Sequence, residues 1–359
     1  MRLYTHTHTH THTGNLKNKK TRTILIIFII LITTILIFNA GVYAAYVFKA
    51  TEVSYTKSNG TTVSVKEALD ELYTIQLLAK AVSVGDYVAY DAGTHSYTSP
   101  TGTGSSHGNG SGNQTFTSSS SLKWRVLGWD EETGGVMLIS ESRIGSFTMK
   151  GAIGYLYAEQ ELNEICKIYG YGTGANTSKK FNYITGDTVE GTKVGTIAGS
   201  GARSINVDDV NKICGVTPST ALTGSYGKAP YTKSIYYPTT STSTGYSTSA
   251  TSRTDVNTYY SYKIWEHLDN TTEIYKMLFG DTIMYWLASR SVYSSSSYAH
   301  FNIHMISNGN LGYYTLGDGS GSNFGELPCN YGVRPIVYLK SGIQTNGKNA
   351  SGAWNIIDK

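Results

Sequence analysis

Ile283-Met284-Tyr285-Trp286-Leu287-Ala288-Ser289, Ala299-His300-Phe301-Asn302-Ile303-His304-Met305 and Gly332-Val333-Arg334-Pro335-Ile336-Val337-Tyr338-Leu339 are the stretches that decide the fold. The first is apolar nearly throughout, the pattern of a strand buried on both faces. The second alternates, which puts Phe301, Ile303 and Met305 inward and His300, Asn302 and His304 outward. The third reads as a last core strand, with Arg334 expected to pair with a buried acid.

Working toward the N-terminus, the same two-residue period returns at Val84-Gly85-Asp86-Tyr87-Val88-Ala89-Tyr90. Leu122 to Trp129 and Val136 to Ser140 are expected strands, joined across Asp130-Glu131-Glu132-Thr133-Gly134-Gly135 as a hairpin of the longer-loop kind. Helical spacing is confined to Leu162–Tyr169 and to a stretch from Asn206, where Val207, Val210 and Ile213 share a face and Gly215 is a stop. Thr94 to Ser120 reads as a surface insertion, and Thr217 to Tyr262 as a long loop with room for one hairpin. Many strands, few helices and long loops indicate α+β or mainly β.

At the N-terminus, Thr23 to Phe38 reads TILIIFIILITTILIF, and a milder stretch runs to Phe48. Together they are long enough for a bilayer core of ~30 Å. Arg2, Lys17, Lys19, Lys20 and Arg22 precede it with no acid among them. The positive-inside rule then puts the tail in the cytoplasm and the rest outside. Two readings stay open: a single-pass signal-anchor in the cell membrane, or a signal peptide cleaved near Ala44 with secretion of the rest. The Thr5–Thr13 tract, with His6, His8, His10 and His12, reads as a low-complexity tail. Ser64-Val65-Lys66-Glu67 matches a capping box, and Val65, Ala68, Leu72, Ile75, Ala79 and Val82 would make an apolar seam. That seam suits a helix lying on its own domain or an oligomerising stalk.

Removing the five leading basic residues leaves 24 of 29, against 25 acidic residues. So balanced a remainder argues against a nucleic-acid footprint. Charged residues are only 15%, and Tyr alone contributes 29 positions, so the polar surface is built from Tyr, Ser, Thr, Asn and Gly. Such a surface suits ligand binding. Cys166, Cys214 and Cys329 show no C-x-x-C spacing. A Cys166–Cys214 disulfide and three incidental thiols both fit an exported chain.

Tyr285-Trp286-Leu287-Ala288-Ser289-Arg290 followed by Gly332-Val333-Arg334-Pro335 resembles C-type-lectin-like domains of bacterial and phage proteins. The blocks Gly201–Ile213 and Val65–Tyr73 resemble the same family, and the likeness extends over roughly residues 60 to 356. It implies an α+β fold: a C-type-lectin-like domain with long loop insertions, preceded by one transmembrane helix and a short helix. The expected divisions are a basic tail at 1–22, an anchor or signal peptide at 23–48, a linker and stalk helix at 49–83, and the lectin-like domain at 84–356. The fold is shared with formylglycine-generating enzymes and with the variable proteins of diversity-generating retroelements. In the latter, the segment matching Ser291–Asn330 carries the binding residues.

That resemblance implies a ligand surface at Tyr293, Tyr298, His300, Asn302, His304, Asn308, Asn310, Tyr313, Tyr314 and Asn323. It implies no catalytic residue, metal or cofactor. Formylglycine-type chemistry needs paired cysteines, and this third of the chain has Cys329 alone. His300 and His304 on one strand stand about 13 Å apart, too far for one metal ion. The expected function is adhesion: a surface-displayed, extracellular domain binding an external protein or glycan. A self-assembling envelope or pilus-like subunit, a homo-oligomer through the stalk helix, and an enzyme on the same fold are the alternatives.

Overall fold

The computed structural model describes residues 27–34, 54–56, 60–64, 75–99, 113–187, 191–216, 228–231, 234–242, 245–252, 255–259, 269–280, 284–294, 298–320, 323–326 and 329–358. The chain divides into two units, Met1–Tyr73 and Thr74–Lys359.

In the first unit, residues 27–34 are helical and exposed. Strands β1 (Ser54–Thr56) and β2 (Thr62–Ser64) pair antiparallel. Among the described residues no helix is long and apolar enough to cross a membrane. The eight helical residues 27–34 span about 12 Å at 1.5 Å per residue. This overturns the expected single-pass transmembrane helix and signal-anchor. The rest of 23–48, the tail at 1–22 and the seam residues 65–74 lie outside the described residues.

The second unit opens with β3 (Gln76–Leu77) and one helical turn, α1 (Leu78–Ala81). The seam therefore does not continue as one helix through Val82, because Gln76 and Leu77 pair with strand residues Thr345 and Gln344. Leu78 and Val82 enter the core of this unit. Next come β4 (Tyr87–Val88), β5 (Ser96–Ser99), β6 (Gln114–Thr117), β7 (Trp124–Trp129), β8 (Val136–Ser140) and β9 (Ser146–Met149). The long helix α2 (Gly151–Lys167) precedes β10 (Phe181–Asp187), β11 (Gly191–Ile197), β12 (Ala202–Ser204) and α3 (Val207–Ile213). Strands β13 (Lys228–Tyr231), β14 (Ser234–Thr242), β15 (Gly245–Ser252) and β16 (Asp255–Tyr259) lead to α4 (Glu273–Phe279). The chain closes with β17 (Tyr285–Ser294), β18 (Tyr298–Ser307), β19 (Asn310–Ser320), β20 (Asn323–Glu326), β21 (Cys329–Gly332), β22 (Pro335–Tyr338) and β23 (Gln344–Thr345).

Two sheets carry the unit. One has five strands in the order β12-β22-β8-β7-β4, and the other six in the order β20-β19-β18-β17-β21-β9. Helix α2 packs against β12 of the five-stranded sheet, β17 and β19 of the six-stranded sheet, and β10. The described architecture is thus mostly β, and the expected α+β class is corrected accordingly. Among the described helices only α2 is longer than eight residues.

Helix α2 is longer than its expected core at Leu162–Tyr169, and the cause is visible in its burial. Tyr155, Leu156, Leu162, Ile165 and Cys166 are buried, but so are Glu159, Glu161 and Asn163. A helix enclosed on all sides loses the polar stripe by which amphipathic spacing is read. Helix α3 follows its sequence more directly. Asn206 accepts from the Asp209 N–H at 2.9 Å, and the Asp209 carboxylate accepts from the Asn206 N–H at 2.9 Å, a reciprocal cap. The expected loop at 217–262 contains strands instead: β14 pairs with β15, and β13 with β16. Its Thr, Tyr and Ile content suits pleated pairing.

The β7–β8 hairpin forms as its spacing predicts. Gly134 takes φ +72, where a side chain is strained. A Cβ on Gly135 would stand 2.1 Å from the Leu339 carbonyl oxygen. Gly135→Ala is therefore expected to cost about 1–3 kcal/mol by overpacking, read as a lowered urea midpoint at unchanged slope.

Arg334 is fully buried, but its partners are not the expected acid. Its Nη1 donates to the Met277 carbonyl at 2.7 Å and its Nε to the Ser140 carbonyl at 3.2 Å. The guanidinium also lies 5.0 Å over the Tyr285 ring. Burial holds its pKa below the usual arginine value.

Candidate ligand cleft

Strand β4 is the edge of the five-stranded sheet, and the chain's last residues close over it. The Ala89 N–H donates to the Trp354 carbonyl and the Trp354 N–H to the Tyr87 carbonyl, each at 2.8 Å. Between β4, residues 120–124 and the 349–353 turn an open cleft of about 420 Å³ remains.

Its floor is rigid. Tyr90 and Trp124 are buried there, edge-on with ring centroids 5.3 Å apart. The Tyr90 hydroxyl donates to the Tyr169 carbonyl at 2.6 Å and accepts from the Gly172 N–H at 3.1 Å. Burial pushes its pKa up, so it stays a phenol. One wall is the 349–353 turn, tied by Asn349 Oδ1, which accepts from Ser351 N, Ser351 Oγ and Ala353 N at 3.0, 2.7 and 3.1 Å.

The opposite wall carries Ser120, Ser121, Leu122 and Lys123. At its end the Tyr87 phenol donates to Glu141, which raises the phenol's pKa. Lys123 Nζ lies 3.9 Å from the same carboxylate and 5.9 Å from the Tyr87 ring centroid. Behind Tyr87, burial would raise the Asp86 carboxyl. The Ser83 N–H at 2.9 Å, the Trp354 indole at 3.0 Å and Lys348 at 3.4 Å outweigh it and hold the carboxyl low. The cleft thus offers hydroxyls, an amide, the Asp91 carboxylate and the Lys123 ammonium above an apolar floor.

The strongly perturbed acids lie elsewhere. Burial pushes Glu159 up to about 7 against the pull of Arg290 and of the Ile184 N–H it accepts at 2.7 Å. Burial also pushes Glu161 up to about 7, against hydrogen bonds from Ser99 and Tyr97. Neither lines the cleft. All three cysteines are free thiols, so Cys166 and Cys214 are not joined. Among the described residues no group of three His, Cys, Asp or Glu side chains is placed to hold a metal ion.

The surface expected on the C-terminal strands is only partly present. Asn302 and His304 are buried rather than outward, at 3% and 0% exposure. Strand β18 is covered twice: Phe301 and Ile303 pack in one cluster with Tyr155 and Leu156 of α2, and Ile306 in another with Met277, Leu278 and Phe279 of α4. His304 Nδ1 sits 3.0 Å from the Gly312 carbonyl oxygen. Asn308, at φ 49 beside Gly309 at φ 76, makes the β18–β19 turn, and Asn310 donates to the Asn308 carbonyl at 2.9 Å. Tyr313 is exposed, whereas Tyr314 stands edge-on to Trp286 and Tyr331 at 6.4 and 5.9 Å. Tyr293, Tyr298, His300 and Asn323 lie on β17, β18 and β20, and their side chains are outside the described residues.

Sequence reasoning missed the cleft because its residues come from three separated segments, none with a motif. The one local signal was Asn349-Ala350-Ser351-Gly352, a polar turn that the sequence reading passed over. No known family, curated protein or solved structure matches the chain.

Proposed function

We propose that the second unit is a recognition domain whose ligand is a neutral, hydroxyl-rich molecule of glycan type, taken up in the β4 cleft. The observation that carries this reading is the cleft's composition. One carboxylate and one ammonium are balanced among Ser hydroxyls and an amide, so a charged ligand meets its own sign. A sugar hydroxyl both donates and accepts, and can serve Asp91 and Lys123 alike. Ala89, Leu122 and the half-buried Tyr87 ring offer apolar surface to a C–H face. The volume falls within the usual range of small-ligand sites.

The test is a glycan panel probed with the full chain. Ser121 is exposed, so Ser121→Trp should fill the cleft and abolish capture without lowering the thermal midpoint. Asp91→Ala should weaken capture by roughly 10-fold, the effect of losing one charge-assisted hydrogen bond. An unbound panel, or capture indifferent to Ser121→Trp, sinks the reading.

A further inference from the structure

The segment Tyr87–Asp91 runs along the cleft and gives it two unlike ends. At the Tyr87 end stand the phenol, Glu141 and Lys123. At the other end Asp91 is exposed, and beyond it two aromatic rings face solvent. These are His95 and Tyr171, tilted at 46° with ring centroids 4.6 Å apart. Tyr171 is 40% exposed, so most of the ring surface that His95 leaves uncovered is wet.

Backbone contacts fix both rings to that end. The Gly172 N–H donates to the Tyr90 hydroxyl at 3.1 Å. A Cβ added at Gly172 would stand 2.0 Å from the Asp91 carbonyl oxygen, so only glycine permits this approach. The residue after Tyr171 is thus packed on the cleft's own backbone. The residue before it, Gly170, accepts from the Gly201 N–H at 2.9 Å. His95 is tied as firmly: its N–H donates to the Ser118 hydroxyl at 2.8 Å, and its carbonyl accepts from the Ser118 N–H at 2.8 Å. Its ring lies back against Gly93, where an added Cβ would be 3.5 Å from Nε2. The Gly93 N–H is the one that Asp91 Oδ1 accepts at 2.9 Å. The imidazole and the Asp91 carboxylate therefore adjoin the same glycine.

We infer that Tyr171, backed by His95, is a second subsite of the cleft, so that the ligand is an oligosaccharide whose chain passes Asp91 and lays a further sugar ring on Tyr171. The inference rests on the cleft being the glycan site, and specifies the length of ligand that the site reads. A single exposed ring is ordinary on a protein surface. This one is distinguished by its second aromatic, its anchored backbone and its place beside a cleft carboxylate. His95 restricts the Tyr171 ring before any ligand arrives, so little ordering remains to be done on binding. Tyrosine also offers a large contact area at low entropy cost. The C–H face of a sugar suits the ring, and the hydroxyls at the sugar's rim suit Asp91 and the imidazole nitrogens, which accept and donate.

Titration calorimetry of the full chain with neutral oligomers of glucose, galactose, mannose and N-acetylglucosamine, from one to four units long, tests this. For the sugar that binds, affinity should rise ~10-fold at one step of the length series, the step at which a ring reaches Tyr171. Tyr171→Ala should erase that step, and Tyr171→Phe should keep it. Tyr171→Leu keeps apolar bulk without the ring face, and should erase the step as well, which settles the matter if the alanine variant fails to fold. An affinity that ignores chain length, or a step that survives both Tyr171→Ala and Tyr171→Leu, overturns the subsite. Ser121→Trp separates the two claims. Capture lost in Ser121→Trp but indifferent to Tyr171→Ala would overturn the subsite and leave the cleft reading standing. Capture lost in Tyr171→Ala but indifferent to Ser121→Trp would place the sugar on the rings alone and sink the cleft reading. No capture of any oligomer overturns both.

Discussion

The thermal midpoint of the chain is expected to fall by roughly 10 °C as pH rises from 5 to 8. Two buried acids set the direction. Glu159 and Glu161 are both raised from 4.5 to about 7 in the folded chain. Folding therefore favours their protonated forms. Their contribution is complete below pH 4.5 and is lost as pH rises through about 7. A shift of that size is worth about 3 kcal/mol for each group.

The opposite slope appears in acid. Asp86 and Asp130 are held below the usual carboxylate value, so their contribution is present at neutral pH and fades as pH falls through their folded pKa. For Asp130, burial alone would raise the carboxyl, and Lys179 at 2.8 Å with Thr133 at 2.6 Å outweighs it. Stability should accordingly peak near pH 5. Scanning calorimetry of the wild type and of Glu159→Gln with Glu161→Gln checks this. The double variant should flatten the profile above pH 5, and a wild-type midpoint that is level or rising there would contradict it.

The strands were the readable part of this chain. At Val136–Ser140 an apolar run met a glycine-bearing turn, and the hairpin followed, its register shifting between Val126 and Gly128. At Asn206–Asp209 a local hydrogen-bond pattern reproduced a helix start. Legibility ended where one face of an element was assumed to be wet. Alternation at Ala299–Met305 correctly put Phe301 and Ile303 inward, but it cannot tell water from a second covering layer. There α4 supplies that layer, so Asn302 and His304 are interior. Helix α2 was legible only at Leu162–Tyr169, because Glu159, Glu161 and Asn163 are buried along with its apolar residues. The hydrophobic text at Thr23–Phe38 failed differently: composition set an expected span, and the described helix covers only residues 27–34. The cleft was illegible for a third reason. Its walls meet only after β4 pairs with β7 and the chain terminus crosses β4, a contact far apart in sequence.

Asp209→Ala should cost ~4 kcal/mol, because it strands a charge inside the fold. Arg203 donates through Nη1 and Nη2 to the two Asp209 oxygens at 2.7 and 2.6 Å, and through Nη2 to the Tyr338 hydroxyl at 2.7 Å. Its guanidinium lies 5.4 Å from the Phe181 ring centroid. Burial alone would lower its pKa, and Asp209 and Tyr338 reverse that. Removing the carboxylate leaves the cation with only neutral partners and also removes half of the α3 cap. Replacing both partners by apolar residues of similar size, Arg203→Met with Asp209→Leu, removes the stranded charge and should recover most of the loss. Urea unfolding of the single and double variants forms the cycle. Equal losses in the single and double variants would mean that the α3 cap, rather than the ion pair, is what Asp209 supplies.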